Sequence, residues 1–145
     1  MRASLRALLL AGLVGAIGLP LSGCGSPPVS VCVPTLAVSP ENPRPGRVVT
    51  VKTVHPCPVN LPEGAVWHVR IRPDDATVPL AQAEVRPEAD GSFEVSITVP
   101  PTIRPGRAIA WISDYWDYAE CPDRASCASA EVGFEVAEQR PPEGR

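Results

Sequence analysis

Between Leu36 and Val136 the apolar side chains recur at every second position, and no long stretch repeats at helical spacing. Leu36 and Val38 alternate in a first short segment that Ser39-Pro40 stops. Val49 and Val51 mark a second, from Arg47 to Val54. Trp67, Val69 and Ile71 alternate with His68, Arg70 and Arg72, and Phe93, Val95, Ile97 and Val99 alternate with Glu94, Ser96 and Thr98. Ile109 with Trp111, and Val132 with Phe134 and Val136, complete the series, while Leu80 to Arg86 is a weaker candidate. Successive side chains of a strand point to opposite faces. This period therefore predicts antiparallel strands with one buried and one solvated face.

The turns between these segments agree with that reading. Of 145 residues 19 are proline, and they cluster between the alternating runs. Arg44-Pro45-Gly46-Arg47 and Arg104-Pro105-Gly106-Arg107 have the same order, and each leads into an apolar segment. Proline presets φ at the first central position of a turn, and glycine supplies positive φ at the second. Asp90-Gly91 stands before the Phe93 segment and reads as a hairpin turn. Short strands at turn spacings of about 8 to 12 residues predict an all-β chain, a Greek-key β-sandwich of about seven antiparallel strands.

Ahead of the strands the composition changes. Arg2 and Arg6 precede an apolar run from Ala7 to Leu19, and small residues follow at Ser22 and Gly23. A basic start, a short apolar stretch and a small-residue exit make a secretory signal. The run is shorter than the roughly 20 residues that span a bilayer. The tetrapeptide Leu21-Ser22-Gly23-Cys24 resembles the lipobox of bacterial lipoproteins. That resemblance implies cleavage before Cys24, acylation of its thiol and an anchor on the extracytoplasmic side of the cell membrane. Residues 1–23 are then the signal, 24–31 a tether, 32–137 the domain and 138–145 a disordered tail.

Without its signal the chain keeps 11 basic against 16 acidic residues, because Arg2 and Arg6 leave with it. That acidic balance argues against nucleic acid and gives no polybasic attraction to an anionic membrane. Four cysteines remain beside Cys24, namely Cys32, Cys57, Cys121 and Cys127. An even number in an exported chain predicts two disulfides, and no C-x-x-C pair favours a metal.

Leu36-x-Val38-Ser39-Pro40 followed by Arg44-Pro45-Gly46 and Val49-Thr50-Val51 resembles the opening of bacterial Ig-like domains. Gly91-x-Phe93-x-Val95-x-Ile97-x-Val99-Pro100 followed by Pro105-Gly106 resembles their closing half. The resemblance covers about residues 33 to 137 and rests on turn and core positions. It implies a seven-stranded sandwich with Trp67 on the third strand, and it brings no catalytic residue. The central cysteine pair of such domains is missing. In that arrangement all four cysteines fall at one end, so every pairing is open, with Cys32–Cys57 and Cys121–Cys127 favoured.

One segment does not read as scaffold. Ser113 to Cys121 holds both tyrosines, Trp116 and the carboxylates Asp114, Asp117 and Glu120. Two uses stand open. Asp114, Tyr115, Trp116, Asp117 and Tyr118 contact a ligand or partner, such as an envelope protein or a polysaccharide, since rings give contact area at low entropy cost. Alternatively the rings fold down and cap a domain that is short of core. Histidine occurs only at His55 and His68, and no G-x-S-x-G element or metal-ligand spacing is present, so neither an enzyme nor a cofactor is expected. Arg70, Arg72 and Arg86 are expected to share a solvated face with Glu94. The expected product is a monomeric, non-catalytic recognition or adhesion module held to the membrane by lipid. An accessory subunit docked on an envelope protein or transporter is the alternative, and a polysaccharide or small-ligand binder the second.

Overall fold

The computed structural model describes residues 31–122 and 126–138. The signal, Cys24, nearly all of the tether and the tail from residue 139 lie outside the described residues. Seven strands follow one another: β1 Thr35–Ser39, β2 Val48–His55, β3 Trp67–Pro73, β4 Ala81–Val85, β5 Glu94–Thr98, β6 Gly106–Ile112 and β7 Glu131–Val136. A single helical turn, α1 (Tyr115–Tyr118), lies between β6 and β7. The strands form two sheets, β1-β2-β5 and β4-β3-β6-β7, and every pairing is antiparallel. The chain crosses between sheets after β2, β4 and β5, as a Greek-key β-sandwich requires.

Alternation explains the core. Leu36, Val38, Val49, Val51 and Ile97 point inward from the first sheet, and Trp67, Val69, Ile71, Phe134 and Val136 from the second. Each large apolar side chain buried this way contributes about 1.5–3 kcal/mol. Trp67 sits fully buried with Phe93 edge-on at 5.6 Å, and Tyr115 tilts against it at 5.7 Å.

Three local expectations are corrected. On β6 the inward residues are Ala108, Ala110 and Ile112, so Trp111 is not core. Its ring lies on the outer face under the Arg72 guanidinium, 5.5 Å from the ring centroid. Size misled the reading, because the small alanines take the interior and the large ring is covered from outside. Asp90-Gly91 does not close a hairpin, because β4 and β5 belong to different sheets. The turn is tight, with Gly91 N–H bonded to the Glu88 carbonyl at 2.9 Å, and it carries the chain from one sheet to the other. Finally, Arg70 and Arg72 lie on the outer face of the four-stranded sheet, whereas Glu94 belongs to β5 in the other sheet.

The disulfides are Cys32–Cys57 and Cys121–Cys127. The first ties the approach to β1 to the segment leaving β2, and the second closes a short loop before β7. Both lie at the α1 end.

Candidate functional site

The aromatic segment is built by continuing β6 past its last core residue. Ile112 N–H donates to the Ala130 carbonyl and Ser113 N–H to the His68 carbonyl, both at 3.0 Å. The backbone then turns over in α1, where Asp117 N–H reaches the Asp114 carbonyl at 3.1 Å and Ala119 N–H reaches that of Tyr115 at 3.0 Å. These bonds carry the side chains of 114–118 across the open end of the sandwich.

Asp114 is committed to His68. One carboxylate oxygen accepts the His68 backbone N–H at 2.9 Å and the other lies 2.7 Å from Nδ1. A carboxylate cannot donate, so Nδ1 carries the proton. The opposite ring nitrogen, Nε2, lies 3.5 Å from a Glu84 carboxylate oxygen. The imidazole thus stands between two carboxylates in a row across β4, β3 and the β6–β7 connection. Removing Asp114 leaves two partly buried donors without their acceptor. Asp114→Ala is therefore expected to cost about 2 kcal/mol in urea unfolding, and Asp114→Asn less, since its amide oxygen still accepts the backbone N–H.

Tyr115 is 2% exposed, and its hydroxyl donates to the Cys32 carbonyl at 2.8 Å. Burial pushes its phenol pKa up. Trp116 meets it edge-on at 4.9 Å and donates Nε1–H to the Ala128 carbonyl at 3.1 Å. Trp116 and Tyr118 are half-buried against the core, and Asp117 is exposed. Of the five residues singled out in the sequence, Tyr115 lies in the core, Asp114 holds β3, and Trp116 is bonded to the 128 backbone. The free surface of this segment is Asp117 with the outer parts of the Trp116 and Tyr118 rings. The geometry is that of a cap, secured on two sides by disulfides.

Arg72 carries an arrangement that sequence reasoning missed. Its Nη1 donates to the carbonyls of Pro73, Asp74 and Ala76 at 3.1, 3.0 and 2.6 Å. One guanidinium thus fixes the first part of the β3–β4 connection, as far as Ala76, while stacking on Trp111. The alternation marks Arg72 as outward-facing and says nothing of which carbonyls a turn will offer it.

Among the described residues no group of three or more His, Cys, Asp or Glu side chains is placed to hold a metal ion. No protein-family model, curated protein or solved structure matches this chain.

Proposed function

We propose that the chain is a lipid-anchored protein of the extracytoplasmic membrane face, whose Ig-like sandwich serves as a non-catalytic recognition or adhesion module. The observation that carries the reading is the use of its five cysteines. Cys32, Cys57, Cys121 and Cys127 pair with one another, and Cys24 is set apart in the lipobox-like Leu21-Ser22-Gly23-Cys24. Two disulfides suit an oxidising compartment, and acyl chains on Cys24 supply about 0.8 kcal/mol per buried methylene. The sandwich supports a binding role because its strands present the β1–β2, β3–β4 and β5–β6 connections together at one end, where they can contact a partner.

Anchoring at Cys24 also orients the domain. Seven residues, Gly25 to Val31, separate Cys24 from Cys32. At about 3 Å per extended residue they reach only about 20 Å. Cys32 lies at the α1 end, so that end faces the bilayer and the β1–β2, β3–β4 and β5–β6 connections face away.

Metabolic labelling with an alkyne-bearing palmitate tests the anchor. The full chain expressed in bacteria is expected to take up label and partition into detergent, and Cys24→Ala is expected to lose both properties. Undiminished labelling of Cys24→Ala would overturn the reading.

A further inference from the structure

The β3–β4 and β5–β6 connections, at the end opposite Cys32, border an open cleft of about 590 Å³. Its two rims carry opposite charges. Asp74 and Asp75 stand on the first, and Arg104 and Arg107 on the second, with Leu80 and Ile103 as the apolar lining between them. Leu80 is 45% exposed, one of the few large apolar side chains in the open, while Ile103 is buried.

The cleft is preformed. Arg72 fixes the acidic rim through its three carbonyl contacts. Asp74 N–H donates to the Arg107 carbonyl at 3.0 Å and joins the two rims. Ile103 N–H closes the other rim on the Pro100 carbonyl at 3.1 Å. A site ordered before binding loses little freedom on binding. Its charges are nonetheless left largely unused. Among the described residues the only ion pair across the cleft is Arg107 Nε to Asp74 Oδ2, long at 3.7 Å. Asp75 and Arg104 have no ion-pair or side-chain hydrogen-bond partner among the described residues.

We propose that this cleft binds a short peptide bearing both a free amine and a free carboxylate. The amine faces Asp74 and Asp75, the carboxylate faces Arg104 and Arg107, and an apolar side chain rests on Leu80 and Ile103. Two rims of opposite sign exclude the simpler ligands. A polyanion drawn to the arginines meets the aspartate pair, and a polycation meets the arginines. An uncharged apolar ligand gains only a shallow lining. Guanidinium groups suit the carboxylate end because their planar fork matches two oxygens at once. Exposed charge pairs contribute little each, so the site has a Kd of about 1 mM.

The inference rests on the recognition-module reading and gives that module its ligand class. It is tested on the full-length protein in detergent micelles by saturation-transfer NMR with the tripeptide Ala-Leu-Ala. Saturable binding is expected, weakened about fivefold or more by acetylating the amine or amidating the carboxyl group, and similarly by Asp75→Asn or Arg104→Gln. Both residues are exposed and outside the core, so these variants keep the fold. No saturable binding up to about 10 mM would overturn the proposal. So would equal binding of the doubly blocked peptide, or displacement of Ala-Leu-Ala by tripolyphosphate with no loss in Asp75→Asn. The anchor is read separately: a palmitate-labelled protein that fails to bind overturns the cleft alone, and an unlabelled protein that binds overturns the anchor alone.

Discussion

Gly91→Ala is expected to destabilise the domain by about 2–5 kcal/mol, more than the same change at Gly46. Both glycines take positive φ, 83° at Gly91 and 78° at Gly46. A side chain in that region costs about 1–2 kcal/mol whatever surrounds it. At Gly46 nothing lies within 4 Å of the added methyl, so that cost is the whole effect. At Gly91 the new Cβ would fall 1.9 Å from the Cys57 carbonyl oxygen and 2.8 Å from its carbon. Neither atom is the end of a flexible side chain. Cys57 is 2% exposed and bonded to Cys32, so its backbone retreats only by dragging the disulfide and the approach to β1 with it. Forcing atoms into so tight a contact costs about 1–3 kcal/mol more. Urea unfolding of the oxidised protein measures the difference. Equal losses for Gly91→Ala and Gly46→Ala would mean that the close approach to Cys57 does not exist in solution.

The reason for Gly91 is also the reason the sequence could be read only so far. Asp90-Gly91 announces a turn, because its chemistry is local. Which strands the turn joins, and what passes close above it, is set by topology. The same division runs through the chain. Period-two alternation placed all seven strands within a few residues, since each strand shows its own buried face. It failed in phase only on β6, where Ala108 and Ala110 hide the inner face and Trp111 advertises the outer one. The cysteines could be assigned to one end, and the pairing the structure has, Cys32–Cys57 with Cys121–Cys127, was favoured but not fixed, because neighbours at one end are equally reachable on paper. At the α1 end the residues were legible and their tasks were not. Nothing in Ser113-Asp114-Tyr115 says that His68, over forty positions earlier, will claim the carboxylate. The cleft was less legible still, since Asp74 and Arg104 belong to separate turns that meet only once β3 and β6 pair.

Tyr115 separates the structural part of the α1 end from whatever is free to contact a partner. Tyr115→Ala removes a buried ring packed on Trp67 and Trp116, and a loss of about 3–5 kcal/mol is expected. Tyr115→Phe keeps the ring and removes only the hydrogen bond to the Cys32 carbonyl, for a loss of about 1 kcal/mol. The two variants also differ from wild type in alkali. Burial raises the phenol pKa in the folded state, and the unfolded chain ionises near the ordinary value of about 10. The neutral phenol's contribution is therefore complete below about pH 10 and is lost as the pH rises through the folded value. Wild-type stability should fall more steeply above about pH 10 than that of Tyr115→Phe, and the two curves should run parallel below it. Parallel curves throughout would place the Tyr115 hydroxyl in water and undo its assignment to the core. If the curves diverge as expected, replacing the aromatic residues together tests folding and not binding. A partner at this end must then be sought through Asp117, whose exposed carboxylate accepts change to Asn with no measurable loss of stability.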